Sequence, residues 1–456
     1  MTAQRLYRWQ QRALDAWRAA GHRGIVEAVT GAGKTRLGLE ACRTCLESGR
    51  RCVVIVPGLE LGYQWQNGLR AAFPEHDIGM LGGESRANPE RVHVLVATVN
   101  LARSTLLANA MLGGLLIADE CHRYGSDVNR LALASGFDWR LGLSATHERL
   151  DGLHQTVVEP YFGGVVYRYP YESALDEGVI CPFNVALIAV SFSDEEREQY
   201  EYLSSKVKKA RLALLNIYGL PAEPFGEFIK AVNNLHSRGN KLEAIAAGRY
   251  LSAFNRRRSL LAETSAKLDG LAALLPAFGA ARRAIVFTQT VAAAQRVRAE
   301  LVDLGVDAEN LHSLMDAEAR RDVMRRYREA KLHTIVAPQM LDEGIDVPDA
   351  DFGVIVAASR QRRQMIQRMG RCLRLKSGTR HARFAILYVQ GTGEDPAYGA
   401  HEAFLDDIVG PADAVKHFDL YHSGEEICEF LSSGRRAGST TQPAVTSLDE
   451  RTVSYE

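Results

Sequence analysis

Five short runs of aliphatic residues, at 24–28, 52–57, 93–98, 115–119 and 140–144, are separated by stretches whose apolar positions recur at helical spacing, as at 36–49. Uninterrupted apolar runs of this length suit strands of a parallel sheet that is covered on both faces. A second series occupies 284–288, 333–337, 352–357 and 383–389, so the pattern predicts an α/β chain with two lobes. Between them, at about 193–267, the strand signal gives way to long helical segments. Ser193 and Glu196 have the spacing of a capping box, Gly219, Pro221 and Pro224 interrupt a helix, and another helix follows Gly239. From about 433 the chain is rich in Ser and Thr and poor in large apolar groups, the composition of a flexible tail. The expected divisions are a first lobe at 1–190, a helical insert at 191–267, a second lobe at 268–400 and an acidic extension at 401–456.

A length of 456 residues leaves room for more than one core. The 55 Lys and Arg are offset by 55 Asp and Glu, which excludes a bulk polycation, but the charge is segregated. The insert, 193–267, holds 13 cations against 9 acids; residues 360–383 hold nine cations and no acid; residues 401–456 hold 4 cations against 11 acids. The N-terminal residues lack the apolar run of a secretory signal, and the longest uncharged stretch, 104–118, is 15 residues, short of the roughly 20 that span a bilayer. Seven scattered cysteines do not form a disulfide framework, so a soluble, cytoplasmic protein is expected. The Cys42/Cys45 pair lies on a helical stretch without a second ligand pair and reads as helix packing.

The candidate chemistry begins directly after the first strand, where Ala28-Val29-Thr30-Gly31-Ala32-Gly33-Lys34-Thr35 opens a helix. This is the phosphate-loop pattern with Ala at the first Gly position. Thr30, Gly31 and Gly33 let backbone N–H groups wrap phosphates, Lys34 reaches the β and γ phosphates of ATP, and the Thr35 hydroxyl ligates Mg2+. The run 115–118 ends in Asp119-Glu120-Cys121-His122, which puts two carboxylates at the C-terminal edge of the sheet, beside that loop. Asp119 is expected to hold Mg2+ and Glu120 to act as general base toward the attacking water. In the second lobe, Arg371 and Arg374 are candidate arginine fingers, which would make hydrolysis depend on lobe closure.

Taken in order, these segments resemble the motifs of a superfamily 2 helicase or translocase over roughly residues 5–395. Gln10 resembles the Q motif that reads adenine, Lys34 and Thr35 match motif I, and Asp119 to His122 match motif II. Ser144-Ala145-Thr146 match motif III and Phe287-Thr288 motif IV. Asp342-Glu343-Gly344-Ile345-Asp346 match motif V, and Gln367 to Arg374 match motif VI. The segment 145–152, similar to the ATxxRxDG of the XPB-like group, and the YVQGTGED segment at 388–395 place the resemblance in that group, with related helicases of the UvsW type. It implies two RecA-like lobes, a thumb-like insert that grips DNA, Gln367 in catalysis, Gly344 and Asp346 in nucleotide binding, and movement in the 3′ to 5′ direction. His122, Ser144 and Thr146 would couple the ATP and DNA sites. Leu59 stands where the family's Ia motif has Arg, Pro338 where motif V is preceded by Ser or Thr, and the family's Arg-Glu-Asp element reads Arg149-Leu150-Asp151.

Such motors hold DNA through phosphates, independent of sequence. The candidate contacts are Gln64, Gly83, Thr98 and Arg149 in the first lobe and Thr288 and Gln339 in the second. The insert adds Arg256, Arg257 and Arg258, with Tyr202, Tyr250 and Phe254 interleaved as candidate stacking residues. The Q-like segment starts by residue 10, so no domain is expected ahead of the first lobe, and target choice falls to a partner protein. Two alternatives accompany the helicase or translocase reading: an ATP-gated DNA-binding platform with little unwinding, and branch migration.

Overall fold

The computed structural model describes residues 6–103, 113–148, 152–223, 225–312, 314–338, 350–356, 381–398 and 412–433. Its first sheet comprises β1 (Arg23–Ala28), β2 (Cys52–Val56), β3 (Ile78–Gly82), β4 (Ser85–Arg86), β5 (Val94–Thr98), β6 (Leu115–Asp119), β7 (Trp139–Ser144) and β8 (Val165–Tyr169). The spatial order is β4-β3-β5-β2-β6-β7-β1-β8, parallel throughout except for the two-residue β4 against β3. Every residue of β2, β5 and β6 is buried, which is what their unbroken Val, Leu and Ile runs require.

Among the described residues, the long helices on this sheet are α1 (Arg8–Ala19), α2 (Lys34–Glu47) and α3 (Leu59–Ala72). α1 buries Trp9, Ala13, Leu14 and Trp17, and Trp9 stacks on Tyr169 of β8 at 4.7 Å between ring centroids. Cys42 and Cys45 of α2 are buried against Cys52 of β2, and burial pushes the Cys52 thiol well up, so these sulfurs act as small core side chains.

The second sheet comprises β9 (Phe183–Val190), β10 (Ala284–Phe287), β11 (Ala308–Asn310), β12 (Thr334–Ala337), β13 (Phe352–Ile355), β14 (Ala382–Val389) and β15 (Ala414–Asp419), in the order β11-β12-β10-β13-β14-β9-β15, all parallel. Two of these strands shift the expected divisions. β9 falls within 1–190, yet it pairs with β14 from Phe183 to Val190 and has no neighbour in the first sheet. β15 and the helix after it fall within the acidic extension, yet β15 pairs with β9, and Asn184 donates to the carbonyls of Phe430 and Ser433. The apolar side chains Phe418, Ile427 and Leu431 explain this, because they enter the core despite the acidic residues around them. Residues 434–456 lie outside the described residues.

The insert consists of α4 (Asp194–Asn216), α5 (Phe225–Arg238) and α6 (Lys241–Glu263) around its own core of Val207, Leu214, Phe228, Val232 and Tyr250. The capping box at Ser193 and Glu196 forms as expected. Tyr250 is 1% exposed and stacks on Phe254, so these two aromatics build the insert's interior, while Tyr202 is 58% exposed and lies against Lys206. Hydrogen bonds tie the insert to the second lobe. The Gln289 carboxamide oxygen, in the orientation that satisfies its neighbours, accepts from Arg258 Nε at 3.1 Å. Thr290 Oγ1 donates to Glu263, and Arg296 donates to the Glu263 carbonyl. Gly393 N donates to Tyr200 Oη, and Arg197 donates to the carbonyl of Gln390.

At the root of the insert, Lys267 of α7 (Ala266–Ala272) is 1% exposed and lies 2.7 Å from Glu394. Burial pushes the Lys267 amine down and the Glu394 carboxyl up, and each charge opposes the effect on the other. Breaking one half leaves an unpaired buried charge. Lys267→Met is therefore expected to destabilise the chain by about 3–5 kcal/mol, and the double change Lys267→Met with Glu394→Leu to recover most of that, both read from urea unfolding.

Candidate active site

In a parallel sheet every strand delivers its following loop to the same edge, and here β1, β7 and β6 lie side by side. Register fixes the alignment: Glu27 pairs with Ser144, and Asp119 pairs with Leu143. The segment after β1, the carboxylate pair after β6 and the 144–146 segment after β7 are thereby brought together.

The phosphate loop turns on Gly31 and Gly33, with φ of +88° and +94°, values that side chains with a Cβ rarely adopt. Lys34 Nζ donates to the carbonyl of Ala28 at 2.8 Å. Gln10, fully buried on α1, donates through Nε2 to the carbonyl of Gly33 at 3.0 Å and accepts from Tyr7 N through Oε1 at 2.9 Å. In this structure Gln10 braces the loop from behind. A Cβ on Gly33 would lie 3.0 Å from the same Nε2.

Asp119 is 5% exposed, and its carboxylate accepts from Trp65 Nε1 at 2.8 Å and from Glu120 N at 3.0 Å. Burial pushes its pKa up, the neighbouring Glu120 charge pushes further, and Trp65 and Lys34 pull back, leaving it at about 6. Glu120 adopts φ +52°, a left-handed conformation that costs on the order of 1–2 kcal/mol outside glycine. Its Oε2 is buried, accepts no hydrogen bond from the described residues, and lies 3.5 Å from His122 Nδ1. The left-handed turn at Glu120 thus holds its carboxylate beside the His122 ring, at the sheet edge that carries the 28–35 loop. His122 Nδ1 is 3.0 Å from Ser144 Oγ, which donates to the carbonyl of Thr146 at 2.6 Å, so a chain of contacts runs from motif II to motif III.

The sequence-predicted residues Gln10, Thr30, Gly31, Gly33, Lys34, Thr35, Asp119, Glu120, His122, Ser144 and Thr146 thus surround one sheet edge. Gly83, exposed with φ +59°, lies against Tyr63 and Leu59 of α3, the helix that also carries Gln64. Thr98 and Thr288 differ from expectation: they are 7% and 0% exposed, and their hydroxyls are donated to the carbonyls of Leu81 and Thr290. They shape their loops and turn no hydroxyl outward. On α6, Arg256 and Arg258 are exposed, and Arg257 and Arg258 lie over the Phe254 ring at 5.8 Å. Arg149, Gln339, Gly344, Asp346, Gln367, Arg371 and Arg374 lie outside the described residues. Sequence reasoning missed Trp65 as the donor to Asp119, because indoles in amphipathic helices ordinarily mean packing. It also missed His147 and its two carboxylate partners.

Comparison with known proteins agrees with this geometry. Residues 4–149 match the family described as type III restriction enzyme, res subunit, and residues 266–376 match the helicase conserved C-terminal domain. The fold is shared with S. cerevisiae Dbp5 bound to RNA and ADP BeF3, at a TM-score of 0.60 and 14% identity over 94% of this chain and 95% of that one. It is shared also with the Pyrococcus furiosus Hef helicase domain, at a TM-score of 0.54 and 18% identity over 87% and 98%. The two lobes and their motif-bearing edge are those of a superfamily 2 helicase.

Within that superfamily the chain is similar to the XPB-like group. It is 27% identical over 387 residues to the DNA 3'-5' translocase XPB2 of Sulfurisphaera tokodaii, covering 85% of this chain and 82% of the relative. It is 26% identical over 428 residues to the DNA 3'-5' helicase XPB of Mycobacterium tuberculosis, covering 89% and 66%. A similar relative from Kineococcus radiotolerans is spanned over 61% of its length.

The bracing of the phosphate loop gives a direct test. Gln10→Ala removes the hydrogen bond to the Gly33 carbonyl, worth about 1 kcal/mol to the loop, along with the one from Tyr7 N, and is expected to weaken nucleotide binding about fivefold. Gly33→Ala forces a left-handed alanine at about 1–2 kcal/mol and is expected to weaken it roughly tenfold or more. Titration with a fluorescent nucleotide analogue measures both.

Proposed function

We propose that the chain is an ATP-dependent DNA helicase or translocase that moves 3′ to 5′ by ATP-driven closure of its two RecA-like lobes and serves DNA repair, recombination or defence. The observation that carries this reading is the convergence of Lys34, the Asp119-Glu120 pair and the His122–Ser144–Thr146 chain on one sheet edge. The DNA 3'-5' activities in the names of the XPB relatives support the substrate and the direction.

Each residue has a definable task. The loop amides and Lys34 bind the nucleotide phosphates, and Glu120 takes the proton of the attacking water. A hard divalent cation favours oxygen ligands, and the acidic pair with the Thr35 hydroxyl is such a set, so Thr35 and Asp119 would hold Mg2+, which offsets phosphate charge when bound. His122, Ser144 and Thr146 pass changes at the nucleotide to the DNA-facing loops. The cations at 371 and 374 would complete the site from the second lobe and make hydrolysis depend on closure.

DNA is expected to lie across both lobes, held through phosphates at Gln64, Gly83 and Arg149, near Gln339, and on the insert at Arg256, Arg257 and Arg258. Because the insert is bonded to the Gln289–Thr290 turn, its grip would move with the second lobe. One feature of the sequence favours a translocase with little unwinding: Arg149-Leu150-Asp151 stands where the family has the Arg-Glu-Asp element proposed to act in strand separation. Target selection is assigned to a partner protein.

Steady-state ATPase with single-stranded, double-stranded and forked DNA, alongside strand displacement, tests these readings. Lys34→Ala and Glu120→Gln are expected to abolish hydrolysis, with Glu120→Gln still binding nucleotide. Hydrolysis indifferent to DNA in the wild type would overturn the motor, and strong stimulation without displacement would select the translocase or platform. Replacing Arg256, Arg257 and Arg258 with Ala is expected to weaken DNA binding and to reduce the slope of log affinity against log salt by about 2, since each phosphate that a cation no longer neutralises takes roughly 0.7–0.9 from that slope. An unchanged slope would remove the insert from the DNA path.

A further inference from the structure

The residue after motif III is held by a cluster that none of the motifs contains. His147 is 2% exposed, and both of its ring nitrogens face carboxylates. Nδ1 lies 2.6 Å from Glu27 Oε1, and Nε2 lies 2.7 Å from Glu159 Oε1. The backbone N of His147 donates to the same Glu27 oxygen at 2.7 Å. A neutral imidazole has one N–H and one lone pair, so it satisfies only one of two ionised carboxylates and turns a lone pair toward the other. The imidazolium satisfies both.

The surroundings favour that charge. Glu27 comes from β1, Glu159 from the short helix Glu159–Phe162, and the Arg168 guanidinium of β8 binds the far oxygen of Glu27 at 2.8 Å. The His154 ring stands edge-on to His147 at 5.5 Å. The hydrogen bond to Glu27 and, after it, that to Glu159 raise the His147 pKa, against the opposing effect of burial. Burial alone would raise Glu27, but the hydrogen bonds from His147 and Arg168 hold it down at about 2.

Position gives the cluster its significance. Glu27 immediately precedes Ala28, whose carbonyl accepts from Lys34, and it pairs in register with Ser144. His147 immediately follows Thr146, whose carbonyl accepts from Ser144. We propose that His147, clamped as an imidazolium between Glu27 and Glu159, is a positioning residue that fixes the 144–146 segment to the root of the phosphate loop, so that stimulation of hydrolysis by DNA depends on its charge. The inference rests on the DNA-dependent ATPase reading. The sign is fixed: a His whose pKa is raised by folding carries its charge at low pH and loses it as pH rises through the folded value, so the clamp releases on the alkaline side.

The test is the ratio of DNA-stimulated to basal ATPase of the full chain from pH 6 to 9, for wild type, His147→Gln and Glu159→Gln. In the wild type the ratio is expected to fall about tenfold with rising pH, the worth of a charge-assisted hydrogen bond. His147→Gln is expected to show the low ratio at every pH with basal hydrolysis kept, and Glu159→Gln an intermediate one. A wild-type ratio independent of pH, or a His147→Gln profile parallel to wild type, overturns the proposal. NMR of 15N-histidine-labelled full chain supplies a second readout: both His147 ring nitrogens are expected to be protonated at pH 7, and to lose a proton at lower pH in Glu27→Gln. A neutral ring at pH 7 overturns the clamp even where no DNA stimulation is found, an outcome that separately removes the motor reading. Should His147→Gln fail to fold by thermal unfolding, Glu159→Gln and the NMR titration decide.

Discussion

A carboxylate, Asp119, has been buried at the end of β6 next to a second carboxylate, and much of the first lobe bears on whether it keeps its charge. Desolvation and the Glu120 charge both favour the protonated form of Asp119; the Trp65 indole and the Lys34 ammonium oppose them. Trp65 reaches Asp119 because α3 packs across the sheet above it. Gly38 of α2 leaves room for the indole, since a Cβ there would come within 2.3 Å of the Trp65 ring. Lys34 is placed by the glycine turns of the phosphate loop and by Gln10 behind it. The charge state of one carboxyl is thus set by three helices and a loop, which makes the site a property of the whole lobe.

The second lobe answers a different demand, that of moving an attached element without losing it. The insert has its own core, and it is fastened at its root by the buried Lys267–Glu394 pair and by hydrogen bonds to the 288–290 and 390–393 turns. A buried pair is a poor source of net stability but a demanding one geometrically, since misplacing either partner exposes the other to an apolar surrounding. The insert's orientation is therefore specified at its base, and Arg258 takes part in that fastening through Gln289.

Much of this was legible in the amino-acid sequence. All nine apolar runs became strands, and the phosphate loop and the acidic pair took the predicted places, because a strand buried on both faces and a glycine-dependent turn each have few alternatives. β3 was not legible, having two glycines among five residues, nor was β8, an edge strand with half-exposed side chains. β9 was not read as a strand either, and its sheet is chosen by pairing with a segment two hundred residues later, which local pattern does not encode. Tyr250 and Phe254 were ambiguous for a related reason: an aromatic beside arginines reads alike whether it stacks on a ligand or fills a small helical core. The His147 clamp joins residues 27, 147, 159 and 168, and only the register of β1 with its neighbours makes them one group.

The early departure of β9 has a consequence for how the molecule is made. The chain enters the second sheet at Phe183, leaves it for the whole insert, and returns with the strands that flank β9 only at Ala382 and Ala414. During synthesis from the N-terminus, the first sheet is complete once β8 has formed, whereas β9 waits beside an already folded helical unit with both of its pairing edges open. Strand edges left open in this way favour mispairing, and long-range parallel pairing is slow. The lobe expected to carry the grip on DNA is consequently the last to become a lobe, and of the two residues that fasten the insert, Lys267 is made during that delay and Glu394 only after β14.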